Sequence, residues 1–374
     1  MKKGFTLIEI VVAVGLLAMV IGFSSVIFKV SIETRRTAGA NAEIMQKLRA
    51  ITNQLNRDFA GLRPDAPLMI WFEQDTNSTD PNRYDQIMFF ADGDFQSTQL
   101  YDYDATLGFK VPATTGTPVV GNVARIYYGQ ASVNSASPVN FIYPWNQSDV
   151  KKRILGRRQH ILTAVDMTAT KHLDLWPDIN DVVNSFDDDL VYGTKTYLKN
   201  ELYEHDSLSL SQWKVVTNDP LKNDAIIATC LDNTNGRPQI DLVSQPPVGL
   251  HMLMTEGIGS FAVQWAYSCT ASGGNTVYRW WPSIDPDGDP GTDDSDFDIQ
   301  WTSKPQFGIY FNMLGGVTLA TPDWSGPELA RTKIILSFGN TFYPPALKFT
   351  FRIYDSKGII KGGRTFTYIV YLQR

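Results

Sequence analysis

Between Lys3 and Lys29 the chain carries a single charged side chain, Glu9, inside an apolar run from Phe5 to Phe28. As a helix, roughly 24 residues span roughly 36 Å, enough to cross a bilayer core of about 30 Å. Lys2 and Lys3 precede the run and hold that end in the cytoplasm, leaving the rest of the chain outside. A secretory signal peptide has a shorter apolar region, about 7–15 residues, ending at small residues, and this run has neither property. A plain anchor leaves Glu9 unexplained, because a carboxylate within an apolar helix costs about 2.5–3.5 kcal/mol on insertion scales.

The pattern does not stop at the membrane. Ile44, Leu48, Ile51, Leu55 and Phe59 recur at helical spacing, with Arg35, Arg36, Lys47, Arg49 and Arg57 mostly on other faces, until Gly61 and Pro64 end it. One helix is therefore expected from Phe5 to about Ala60, roughly 84 Å long if straight. Gly15, Gly22 and Gly39 are its weak points. The lower apolar face needs a head domain to cover it, and the upper half is free to bind other helices.

From residue 61 onward, short apolar and β-branched runs alternate with Gly, Pro, Asn and Asp clusters. Expected strands are Ile87–Ala91, Ala124–Tyr128, His160–Val165, Phe261–Tyr267, Gly308–Phe311, Lys333–Phe338, Ala346–Tyr354 and Thr365–Leu372, with a short helix near Ile179–Phe186. The last two strands alternate cleanly. Leu347, Phe349, Phe351 and Ile353 share one face, as do Phe366, Tyr368, Val370 and Leu372, predicting an antiparallel hairpin. The fold class is thus α+β: a long N-terminal helix, transmembrane over 5–28, packed on a β-rich antiparallel head from 61 to 374.

The stretch Lys2-Lys3-Gly4-Phe5-Thr6-Leu7-Ile8-Glu9 resembles the prepilin leader of type IV pilins and type II secretion pseudopilins. That resemblance implies a leader of residues 1–4, cleaved between Gly4 and Phe5 by prepilin peptidase, and N-methylation of the new Phe5 amine. It also implies filament assembly through Glu9 with other pilin or pseudopilin subunits, on an inner-membrane assembly platform. Glycine at position 4 lets a protease approach the backbone closely. The new Phe5 amine of one subunit and Glu9 of its neighbour would neutralise each other in the apolar core. Cleavage takes Lys2 and Lys3 from a net charge of −6 and leaves −8. The segment Tyr343–Leu372 more loosely resembles the end of the J-class minor pseudopilins, and VARIYYGQ and RILGRRQHIL their middle strands. The head is longer than that class implies, pointing to insertions around 166–260 and 270–305. The large head fits a tip or initiating subunit of a pilus or pseudopilus, single-pass in the bacterial inner membrane with its head in the periplasm.

Other chemistry is sparse. The acidic balance, with no basic block, argues against nucleic acid as a partner. No nucleophile elbow, phosphate loop, dinucleotide fingerprint or histidine ligand pair occurs, so no enzyme is expected. The nine tryptophans read as core, although Trp280-Trp281 offers an exposed contact. Asp285, Asp287, Asp289, Asp293 and Asp296 fall at positions 1, 3, 5, 9 and 12 of an acidic loop resembling calcium loops. Pro290 stands where the sharp-turn glycine belongs, so Ca2+ and a solvated loop both remain open. Cys230 and Cys269, both outside the cytoplasm in this topology, are either a disulfide closing a loop of about 40 residues or two free thiols. The rival to a filament subunit is a membrane-anchored extracytoplasmic enzyme or binding protein using the same export signal.

Overall fold

The computed structural model describes residues 6–73, 82–104, 109–134, 141–162, 204–206, 209–217, 237–243, 249–270, 276–281, 306–312, 316–320 and 344–372. Helix α1 (Leu7–Ala60) runs 54 residues without a break, as the continuing periodicity requires. It ends at Gly61, whose amide donates to the carbonyls of Asp58 and Phe59. A Cβ at Gly61 would lie 1.9 Å from the Asp92 carbonyl oxygen, so only glycine lets the departing chain pass this close to a strand. The exit is then pinned by Asp92 N–H to Gly61 O at 2.7 Å and Arg63 N–H to Phe90 O at 2.9 Å.

The described strands are β1 (Leu68–Glu73), β2 (Gln86–Asp104), β3 (Phe109–Pro112), β4 (Thr117–Gln130), β5 (Ser132–Asn134), β6 (Phe141–Ile142), β7 (Ile154–Leu162), β8 (His205–Asp206), β9 (Gln239–Asp241), β10 (Leu253–Glu256), β11 (Ile258–Thr270), β12 (Thr276–Trp281), β13 (Gln306–Asn312), β14 (Gly316–Ala320), β15 (Ala346–Ile353) and β16 (Arg364–Tyr371). A short helix, α2 (Leu210–Thr217), lies between β8 and β9 in the chain. The large sheet has the order β10–β7–β4–β2–β1–β13–β14, with β3 hairpinned on β2 and β8 beside β7. A second sheet has the order β12–β11–β15–β16, and a small third one is β6–β5–β9. Pairing is antiparallel throughout except for β7 with β8 and β5 with β9. The expected C-terminal hairpin is β15–β16, in register from Ala346 opposite Tyr371 to Ile353 opposite Arg364.

The main core lies where α1 meets the two larger sheets. Ile44, Ile51, Leu55 and Phe59 of the helix pack with Ile70 and Phe72 of β1, Ile87, Phe89 and Ala91 of β2, and Leu347, Phe349, Phe351 and Ile353 of β15. Phe59 is the wedge between the sheets. Its ring stacks on Phe89 of the large sheet at 4.2 Å between centroids and meets Phe349 of the second sheet at 5.7 Å. A second core covers the far face of the large sheet, where Met88 and Phe90 of β2 join Met69, Trp71, Tyr127 and Trp213 of α2. Both faces of β2 are therefore buried, which is why Ile87–Ala91 reads as an unbroken apolar run.

The sheets are stitched by charges within this interior. Asp85 accepts from the amides of Val263 on β11 at 2.7 Å and Glu73 at 3.1 Å, and is ion-paired with Arg83. Arg83 also donates to the Val263 carbonyl at 3.1 Å, and Arg237 joins Glu73, Gln130 O and Tyr84 O.

Several expected boundaries shift. The strand expected at His160–Val165 begins at Ile154, because the arginines and Gly156 that hide its alternation are themselves inside, Arg158 at 1% exposure. The strand expected at Ile87–Ala91 continues to Asp104, and Asp92-Gly93-Asp94, which reads as a turn, instead forms an irregularity where the β2–β4 register slips. The expected strand Lys333–Phe338 and helix Ile179–Phe186 lie outside the described residues.

Truncating the wedge is the test of this packing: Phe59→Ala should destabilise the head by about 3–5 kcal/mol in denaturant unfolding of the full chain in detergent.

Candidate functional site

The chemistry that distinguishes this chain lies along α1. From Leu7 to Ile32 its large apolar side chains are exposed, from 52% at Ile32 to 83% at Leu7, and the membrane-length apolar window has none of its residues buried. A core helix of a soluble domain would be covered over such a stretch. Each Leu, Ile, Val or Phe that finds an apolar medium contributes on the order of 1.5–3 kcal/mol, so this segment is built for lipid or for other helices. Burial by the head begins at Ala40, 4% exposed.

At the start of the helix the structure places Glu9 on Thr6. The Glu9 carboxylate accepts from the Thr6 amide at 2.8 Å and from Thr6 Oγ1 at 2.9 Å, while the Glu9 amide donates back to Thr6 Oγ1 at 3.4 Å. This is a capping box, with Thr6 as N-cap and Glu9 at the third helical position. Its signal in the sequence is the Thr-x-x-Glu pattern of Thr6 to Glu9. Within the single chain the carboxylate is thus satisfied by its own helix terminus. Gly4 and Phe5, the expected cleavage and methylation positions, lie outside the described residues.

Two polar fastenings, neither legible from spacing, seat the lower helix in the head. At its base Asp58, 3% exposed, accepts from Arg157 Nε at 2.7 Å and Arg157 Nη2 at 2.8 Å, from Gln54 at 3.0 Å and from the Tyr128 hydroxyl. Burial, then the adjacent Asp58 carboxylate, push the Tyr128 phenol well above its ordinary value, so it stays a proton donor. Against the cost of burial, Asp58 keeps the Arg157 guanidinium firmly charged.

About four turns further from the base, Glu43 accepts from Ser356 N at 2.8 Å and Ser356 Oγ at 3.1 Å, and pairs with Lys47 at 2.9 Å. Lys47 in turn donates to the Tyr354 carbonyl at 3.0 Å. The gripped segment is the β15–β16 loop, shaped by Asp355, whose carboxylate accepts from the amides of Ile359 at 2.8 Å and Ile360 at 2.9 Å. Against the cost of burial, those amides hold the Asp355 carboxyl below its usual range. Glu43 is likewise lowered, its partial burial outweighed by Lys47 and Ser356.

The other sequence candidates fare differently. Asp285, Asp287, Asp289, Asp293 and Asp296 lie outside the described residues, as does Cys230, while Cys269 falls in β11. Among the described residues no group of three or more His, Cys, Asp or Glu side chains could hold a metal ion. Trp280 is half-buried, with the Lys348 ammonium 4.9 Å from its ring centre, so that face is engaged within the chain. His160 is buried with Nδ1 3.1 Å from Arg125 Nη2; burial first, then Arg125 and Arg158, keep its imidazole neutral. A groove of about 680 Å³ between β2 and β4, lined by Asp94, Phe95, Gln96, Val120 and Leu162 among others, holds one carboxylate and no nucleophile–base pair.

The prokaryotic N-terminal methylation motif matches residues 1–25. No curated protein and no solved structure matches the chain. The motif, the exposed apolar helix and the antiparallel head together support a type IV pilin-like protein processed as a prepilin and held in a membrane by its N-terminal helix.

The loop grip has a pH signature. Both carboxylates are lowered in the folded chain, so their contribution is complete above about pH 4.5 and is lost as pH falls through and below that range. Amide exchange at Ser356, Ile359 and Ile360, corrected for intrinsic rate, should stay protected at pH 6 and lose protection below about pH 4.

Proposed function

We propose that this chain is a non-enzymatic minor subunit of a type IV pilus or type II secretion pseudopilus, assembled through α1. The observation that carries the reading is a helix with two differently solvated halves: apolar and bare from Leu7 to Ile32, then clamped into a large head by Ile44, Ile51, Leu55, Phe59 and Asp58. Such an object projects a rigid apolar rod from a globular body, the form in which rods bundle while heads stay outside.

On this reading prepilin peptidase cuts between Gly4 and Phe5, and the Phe5 amine is methylated. In the filament Glu9 exchanges its contacts with Thr6 for the Phe5 amine of an adjoining subunit. The head, at more than 300 residues, is bulky for a position repeated at every step of a tightly packed shaft, which supports a tip or initiating place. The C-terminal hairpin with its Asp355 turn supports the J-class likeness among minor pseudopilins.

The capping box sharpens the test of Glu9. Gly4→Ala should leave an unprocessed precursor of full mass, seen by mass spectrometry of the native N-terminus. Glu9→Val removes both the charge and the reach-back half of the capping box, whereas Glu9→Gln keeps the reach-back hydrogen bond and removes only the charge. Both Glu9 variants should be processed and then recovered in filaments at about a tenth of the wild-type level or less. Normal incorporation of Glu9→Gln would reduce Glu9 to a helix cap, and an intact Met1 on the mature wild-type chain would remove the filament reading altogether.

A further inference from the structure

The outward face of the lower helix is cationic. Arg35, Ala42, Arg49 and Asn56 stand seven residues apart and exposed along α1, with Arg57 one residue beyond the last. Among the described residues Arg35, Arg49 and Arg57 make no ion pair. Their surroundings on this face are small or neutral, Ala42, Gln46, Ala50 and Asn53, all exposed, so another backbone can come close.

We propose that this face is a docking surface for a carboxylate-bearing helix of a different filament subunit; the proposal rests on the filament reading above. Charge complementarity selects the occupant. The same face of a second copy would set arginine against arginine. Nor does that face of a second copy's helix have carboxylates to offer, because Glu9 is held by Thr6, Glu43 by Ser356 and Lys47, and Asp58 by Arg157. Glu33, the remaining one on α1, lies on the opposite side of the helix from Arg49 at 3.6 residues per turn. Anionic lipid does not reach the Arg49 and Arg57 end of this face: Arg49 stands 21 residues past Phe28, roughly 30 Å along the axis, against a screening length of about 8 Å.

The test uses the full-length chain in the cells that make it, with a photo-crosslinking residue at the exposed position Asn53. The expected result is an adduct with another filament subunit, reduced at least about fivefold by Arg49→Glu with Arg57→Glu and retained with lysine at both positions. An unchanged melting temperature of the double variant separates docking from folding. An adduct insensitive to charge reversal, or one confined to a second copy or to phospholipid, overturns the proposal while leaving wild-type filaments containing the chain. Absence of the wild-type chain from filaments overturns the parent reading instead, and this surface's partner with it.

Discussion

Everything else in the molecule depends on how the lower half of α1 is held. Ile44, Ile51, Leu55 and Phe59 fill the space between two sheets, and a helix so seated cannot fold its upper half back onto the same head. Among the described residues the apolar run from Leu7 to Ile32 is therefore left standing without cover. Its solvent has to come from outside the chain, from a bilayer or from the helices of other subunits. A rod and a head joined by a loose linker would not impose that choice. The continuous backbone hydrogen bonding of one 54-residue helix does.

Charges buried at the joints make the arrangement specific. Apolar packing alone would allow the helix to slide or rotate in its groove, since one aliphatic contact is much like another. Asp58 with Arg157 and Tyr128, and Glu43 with Ser356, admit one depth and one rotation. Asp85 and Arg83, both bonded to Val263 of β11, do the same where the segment leading into β2 meets the second sheet. Breaking such a pair leaves an uncompensated charge in a dry interior, so these side chains resist substitution more strongly than their neighbours. Polar registration of this kind matters for a subunit whose head must bear a fixed relation to its rod.

The long helix and the C-terminal hairpin were legible because their signals are periodic and extended: five apolar residues at helical spacing, and two strands alternating over eight residues. Strands buried on both faces were harder. Ile87–Ala91 showed its centre but not its extension to Asp104, since Asp92-Gly93-Asp94 reads locally as a turn and is overruled by pairing with β4. β7 was displaced because Arg158 and His160 look like surface residues, and only tertiary partners reveal them as interior. At the start of the helix Glu9 stands out in the sequence as the lone charge of an apolar run, while its partner Thr6 is marked only by the Thr-x-x-Glu spacing of a capping box.

On the filament reading, that local contact has a kinetic meaning. A carboxylate with no resting place in the apolar layer would drive a lone protomer out of the bilayer or into non-specific aggregates. If the chain assembles as proposed, docking on Thr6 would give Glu9 a parked state, in which unassembled protomers could persist as a standing pool until a growing structure recruited them. The cost of leaving that parked state would then become a threshold for joining, one that a correctly placed cation on the receiving end would lower. Selectivity of recruitment would then reside partly in a single threonine hydroxyl.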